Sequence, residues 1–462
     1  MSGRWEQVAQ TPLAKPQESA DVAVIGGGPA GLTAAARLRQ LLPGAKVVVL
    51  EREAKAGGIP RHAFHQGYGL RDLHKSLTGP AYAQRLADAA ATAGADLRLH
   101  TQVTGWSADG ALELTSPAGV AHLYARAVVL ASGCRERPRS ARLVAGSRPR
   151  GVMNTGTLQQ LVYLRGKAPG TRALVVGAEH VAFSAVATLA HGGARTVAVT
   201  TELPRHQSYG ALRWAATARY ATVPDIGTAV APRPSPLPKP PPVLAHTAVM
   251  EIHGRERVTG VTVLDLRSGE SRVIECDTVV FTGDWLPDHE LAVSAGLVLD
   301  AGTRGPRVDG ALRTEREGLF AAGNVLHGAE TGDVAALSGR HVARTVTEFL
   351  GGKPWPQAFV PIECEPPLHW ITPGAIEARL TAAAEMLSER PVVPPRGHYL
   401  LRAHEELIDA RLSITQNGLA LGWVRVPRVM PGRSASLTTR WADSVDPDGG
   451  PVVIRVTKAR LR

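Results

Sequence analysis

Cysteine is scarce in this chain. Among 462 residues there are three, Cys134, Cys276 and Cys364. No two lie close in sequence, which excludes a C-x-x-C redox pair and the ligand spacings of zinc or iron–sulfur sites. Each reads as a small buried filler, and no metal site is expected. Long apolar runs are missing too. Nothing approaches the ~18 uninterrupted apolar residues of a membrane helix, so no membrane association is expected. The stretch from Met1 to Ala20 is polar, carries Pro12 and Pro16, and lacks the apolar centre of a secretory signal. The expected location is cytoplasmic. The net charge is +11, which would favour phosphate backbones. The arginines are nevertheless scattered, not gathered on one tail or helix face. They fit an arginine-rich composition or an anionic substrate, and no nucleic-acid partner is expected. The length allows two or three domains around a large core.

What is present is a repeated strand–turn–helix pattern. The apolar run Asp21 to Ile25 leads through Gly26-Gly27-Gly28-Pro29-Ala30-Gly31 into an Ala/Leu-rich helix reaching about Leu42. A second strand, Lys46 to Leu50, then ends at Glu51. This is a βαβ unit with short connections. The pattern returns with a strand over Ala173 to Val176, a turn at Gly177-Ala178-Glu179, a helix to about His191 and a strand from Thr196 to Val199. Residues 231–242 hold seven prolines in twelve positions. They read as a surface insertion in the second unit or as a docking peptide, because proline cannot donate ladder hydrogen bonds. After Gly352 a helix is expected from Ala375 to Glu389. Strand-like runs on either side of Asn417-Gly418, a favoured hairpin turn, follow. The expected fold class is α/β, with two Rossmann-like dinucleotide-binding domains and a small β-rich C-terminal domain. The boundaries are 20–150 with 285–352, then 151–284, then 360–462.

Gly26, Gly28 and Gly31 match G-x-G-x-x-G between a strand and a helix. The first glycine permits the tight turn, the second lets the backbone approach a pyrophosphate, and the third packs helix on strand. The helix N-terminus adds free N–H groups and partial positive charge for phosphates. Glu51, at the next strand end, is placed to accept hydrogen bonds from ribose hydroxyls. Two distant segments extend the pattern. One is the apolar strand Ala127 to Ala131 ending in Ser132-Gly133, and the other is Leu319 to Ala322 followed by Gly323-Asn324.

With these segments in this order, the chain resembles the two-dinucleotide-binding-domain flavoproteins, the glutathione reductase-like superfamily, over roughly residues 20–350. The resemblance implies FAD at the first turn and matches Val279 to Asp284 to the second connector of that family. It places Ala131, Ser132 and Gly133 in the first connector, and Gly323 and Asn324 in the late FAD motif, where Asn324 stands in the position of an acid. Pro29, Ala30, Arg52, Gly58 and Val103 complete the expected flavin contacts. Disulfide reductases of the superfamily carry a cysteine pair after the first acid-ended strand. Here that stretch, Ala56 to His65, has none. The chain is therefore similar to the cysteine-free branch: sarcosine, proline or opine oxidase alpha-type subunits, hydrogen cyanide synthase and anaerobic glycerol-3-phosphate dehydrogenase.

The second turn is altered. Glu179 stands where the middle glycine belongs and Ala182 where the last one does. A carboxylate would then face an approaching pyrophosphate, and NAD(P) binding is doubtful. Aligning Gly44 with Gly193 places Thr200 opposite Glu51. Oxidising a substrate at a flavin needs a base near neutral pKa. His62, His65 and His327 are the candidates, with Arg61 as a bidentate anchor for a substrate carboxylate. Each also reads as structural: a loop hydrogen bond for His62 and His65, a structural place at the ribityl chain for His327, and pairing with the FAD phosphates or an acid for Arg61. Trp370 is either a lid or a domain-junction anchor. Three functions remain open. The first is an FAD-dependent dehydrogenase or oxidase of a small amine, amino acid or hydroxy compound, working by hydride transfer to flavin N5. The second is an NAD(P)H-dependent flavin reductase. The third is an electron-relay subunit, with a partner subunit or a homodimer possible.

Overall fold

The structure is a computed structural model and describes residues 17–208, 240–328, 330–378 and 392–461. Strand β1 (Gln17–Ile25) runs parallel to β2 (Val47–Leu50) on one side and to the Gly119–Leu130 strand on the other. Ile25 is in register with both Leu50 and Leu130. Val22, Ala23 and Val24 are wholly buried. Parallel neighbours on both flanks and helices on the faces explain why this stretch is continuously apolar instead of alternating. The Leu319–Ala321 strand, far along the chain, pairs in parallel with Gly119–Leu130 and completes the seven-stranded sheet. Helix α1 (Pro29–Leu41) then packs against the Gly332–Leu350 helix. The contact depends on Gly339, since a Cβ there would lie 2.0 Å from the Ala30 carbonyl oxygen.

A second sheet holds five parallel strands in the order Val152–Asn154, Thr278–Phe281, Arg172–Val176, Arg195–Thr200 and Val243–Leu244. The chain crosses between the sheets twice, through Cys134–Glu136 and Trp285–Pro287. These crossings form an antiparallel pair with Glu136 opposite Trp285. A smaller four-stranded sheet packs on the second one around Leu174, Ile252, Val261 and Phe281. Of the proline-rich run 231–242, positions 231–239 lie outside the described residues.

The last hundred residues form two antiparallel-rich sheets around Leu401, Leu407, Leu412, Ile414, Val452 and Ile454. Asn417 and Gly418 join the strands Leu407–Gln416 and Leu419–Val429 with φ of +49° and +79°. Two positive φ values are what a type I′ hairpin requires. The helix expected from Ala375 does not start there. Ala375–Ala378 is a strand, antiparallel to Ala358–Cys364. Ala375 and Ile376 are buried against the β core, and that burial overrides the local preference of alanine for helix. Residues 379–391 lie outside the described residues. Among the described residues no helix is long and apolar enough to cross a membrane.

Candidate functional site

At the end of β1, Gly26 has φ +106° and its N–H donates to Leu50 O at 2.9 Å. A Cβ on Gly26 would lie 2.4 Å from Ala131 O, and one on Gly31 would lie 1.9 Å from Gly26 O. Both positions must be glycine. At Gly28, the residue capping α1, a Cβ would meet nothing within 4 Å. Its openness faces a cleft of about 1390 Å³ between the domains. Pro29 opens the helix without needing its missing N–H, and no acid sits in the first turn. Glu51 is buried and fastens the turn: its Oε2 accepts from Gly27 N at 2.9 Å and its Oε1 from Glu53 N at 2.8 Å.

The remaining expected contacts also reach this cleft. Pro29, Ala30, Arg52, Gly58, Val103, Ala131, Ser132, Gly133 and Asn324 all line it. Gly31 and Gly323 stand behind the wall, Gly323 so tight on Ala30 that a Cβ would come within 2.6 Å of it. Arg52 pairs loosely with Asp288 at 3.6 Å. Asn324 donates from Nδ2 to Glu330 O at 3.0 Å and accepts on Oδ1 from Glu330 N at 3.1 Å. An amide can make both bonds and a carboxylate cannot, which accounts for asparagine at this position. The open cap at Gly28, the acid-free helix start and the acidic strand end at Glu51 fit FAD.

His62 closes a short 3-10 helix, Ile59–His62, directly after Gly58. The ring is 4% exposed, and its Nδ1 donates to Gln159 Oε1 at 3.1 Å, while Gln159 Nε2 donates to Ser184 Oγ at 3.1 Å. Burial and the neighbouring Arg61 hold its pKa below the usual imidazole value, against the raising effect of Gln159. The neutral ring therefore keeps Nε2 free as an acceptor at the cleft wall. His65 lines the same cleft, stacks on Tyr68 at 5.1 Å and donates from Nδ1 to Gln66 O at 3.0 Å. Arg61 reaches the cleft as well, but its guanidinium is held by Glu53 at 3.5 Å and by Gly58 O at 3.3 Å. His327 is set back. It is buried beneath Trp370, stacked at 5.4 Å and 19°, with Nδ1 on Gly328 O at 3.1 Å. Trp370 in turn carries Arg402 on its other contact, 5.1 Å from the ring centroid. It anchors the third domain to the first and lines the cleft as well. Gln159 and Arg402 carry no sequence signal of their own, because each is brought in from a distant element.

The second turn repeats the first closely. Gly177 has φ +121°, and its N–H donates to Thr200 O at 2.9 Å. Thr200 is thus the counterpart of Leu50, and Thr201 the counterpart of Glu51. The expected alignment on Thr200 is one residue off, because a bulge between Ala173 and Leu174 lets Arg195–Thr200 carry an extra residue. Glu179 caps its helix with φ −84° and ψ −176°, against −83° and −174° at Gly28. Its side chain lies across the turn, with Oε2 2.8 Å from a Cβ built on Gly177 and Cδ 2.9 Å from one built on Gly283. Burial raises its pKa, opposed by Thr282 and Arg142. From the third domain, Gly432 backs onto the same place, its built Cβ 3.2 Å from Gln207 Cβ and 3.7 Å from Glu179 Cβ.

Residues 20–217 match the family model of pyridine nucleotide-disulphide oxidoreductases. The chain is 28% identical over 327 residues to ferredoxin–NADP reductase 1 of Bacillus velezensis, covering 68% of this chain and 86% of that protein. It is 30% identical over 192 residues to sarcosine oxidase subunit alpha of a Corynebacterium species, a stretch that spans 37% of this chain and 18% of that protein. The thioredoxin reductase of T. acidophilum shares the fold, with a TM-score of 0.57 at 22% identity over 72% of this chain and 99% of that one. Together with the turn at Gly26 to Gly31, these likenesses make the chain an FAD-dependent oxidoreductase built on the pyridine nucleotide-disulphide oxidoreductase fold.

Proposed function

We propose that this enzyme oxidises a small amine, amino acid or hydroxy compound without a thiol relay, with His62 as the base. The observation that carries the reading is the contact of His62 Nδ1 with Gln159 Oε1: an amide oxygen only accepts, so Nδ1 bears the proton and Nε2 is the basic atom. The three cysteines are spread over different elements and all are free, leaving no dithiol for electrons to pass through. FAD, when bound, supplies the hydride acceptor. Gly26, Gly28 and the start of α1 would hold its diphosphate, and Glu51 its ribose. His62 would take the substrate's proton, while the Gln159–Ser184 chain keeps the ring from rotating. His65 and Arg61 shape the same wall. His327 serves through Trp370, as a positioning residue. The division into residues 20–150 with 285–352, 151–284 and 360–462 belongs to this reading, which gives the middle unit a scaffold role. The partial likeness to a sarcosine oxidase alpha subunit supports it.

A second reading, reduction of the flavin by NAD(P)H, is favoured by the likeness to a ferredoxin–NADP reductase. Glu179 and Gly432 speak against it. Anaerobic stopped-flow mixing separates the two. Bleaching of the flavin band by an amine or hydroxy acid, without nicotinamide, is the expected result. Fast bleaching by NADPH or NADH alone would replace it with the reductase reading.

A further inference from the structure

We propose that Arg304 and His369, backed by His404, form a binding site for an oxyanion group, carboxylate or phosphate, carried by a ligand entering the cleft. The site is shared between the first and third domains. Arg304 sits in the turn Asp300 to Gly305, where its φ is +61°. A non-glycine residue in the left-handed region is strained and is held only by its surroundings. Here they are identifiable: Arg304 N donates to Asp300 O at 2.8 Å, and His289 Nδ1 donates to Arg304 O at 2.6 Å. Asp300 is the nearest acid in sequence, but its Oδ1 already accepts from Gly302 N at 3.1 Å and Thr303 N at 2.7 Å. No described carboxylate forms an ion pair with Arg304.

The turn abuts the third domain, since a Cβ on Gly302 would lie 2.4 Å from His369 O. His369 lines the cleft with Arg304, and its ring lies 4.2 Å from that of His404. Arg402 lines the cleft as well, held by Glu330 at 3.3 Å and Ser434 at 3.1 Å. Burial first, and then His404, Arg402 and Arg304, drive the pKa of His369 down to about 4. Every charged group acting on that ring is of one sign. A wall of this kind repels a proton and attracts an oxyanion, which can accept from Arg304 and His369 where they line the cleft, with His404 packed on the His369 ring.

The site is independent of the proposed oxidation, because it is read by binding with the flavin left oxidised. Titration calorimetry on the FAD-loaded full-length protein, with oxalate and separately with inorganic phosphate at low chloride, tests it. Saturable binding of either is expected. Oxalate alone would indicate a carboxylate ligand, and phosphate alone a phosphorylated one. Arg304→Gln should weaken binding about tenfold or more, the loss of a charge-assisted hydrogen bond. His369→Gln and His404→Gln should each weaken it several-fold. Arg396→Gln, an exposed arginine lining the same cleft, is the control and should leave it unchanged. Absence of saturable binding by both probes, or equal losses in the Arg304 and Arg396 variants, overturns the proposal. Flavin absorbance and melting temperature confirm that each variant is folded.

Discussion

Positions 28 and 179 have the same backbone conformation and opposite contents, so they allow a controlled exchange. Gly28→Glu copies the obstruction at Glu179 onto the first turn, and the purified protein should come off the column colourless, with the flavin absorbance lost. Glu179→Gly should raise nicotinamide affinity; if it does not, the Gly432 loop is the remaining barrier. His62→Gln should keep full flavin content while lowering kcat by about 10²–10⁴, the usual worth of a positioned base. The pH profile carries a sign. Because burial lowers the pKa of His62, the neutral base persists as pH falls through 6.5, and kcat/KM should decline only below that value. An acidic limb centred above 6.5 would remove His62 from the role. The glycines and Glu51 were legible as positions because the strand–turn–helix spacing carries them, whereas His62 stood beside His65 and His327 as a candidate until its contact with Gln159 set it apart. Asn324 was legible as a position but not in its reason, which lies in the backbone of Glu330.

Helices and strands add constraints that single motifs do not show. Gly339, in the middle of a helix where glycine is intrinsically poor, is needed because Ala30 O lies where its side chain would be. Gly339→Leu should push that helix off α1, lower the melting temperature and empty the flavin site together. A stable, fully yellow variant would show that the contact is not required. The crossing strand Cys134–Glu136 holds a second test. Burial, opposed by Gly156 N–H and Thr155, pushes Glu136 up to about 7. The folded protein therefore binds more protons than the unfolded chain between pH 4.5 and 7, so stability falls as pH rises through that window. Glu136→Gln should flatten this dependence in melting curves. The repeated parallel strands were readable from their apolar runs. The Ala375–Ala378 strand was not, since only its place in the β core distinguishes it from a helix start. The bulge beside Leu174 was equally hidden, because a one-residue register slip leaves no mark on composition.

For the whole molecule, the third domain does more than extend the chain. Glu406 is buried and takes both Arg205 of the second domain and Arg428 of its own, the latter at 2.6 Å. Glu406→Ala leaves both arginines without that carboxylate. Since both are at least a third exposed, the expected cost is about 1 kcal/mol. The change should also loosen the Gly432 loop, read as faster amide exchange over residues 430–434. Unchanged exchange would mean that the ion pair does not hold the loop. None of this inter-domain packing could be read from the sequence, because the cleft takes walls from three regions with no shared motif. The two turns also differ by little at the level of the gene. Glycine and glutamate codons are separated by a single base transition, and the peptide at the second turn is already bent for a diphosphate. In a lineage carrying this chain, one point change can therefore remove the carboxylate from that entrance, and the Gly432 loop alone then decides whether it opens.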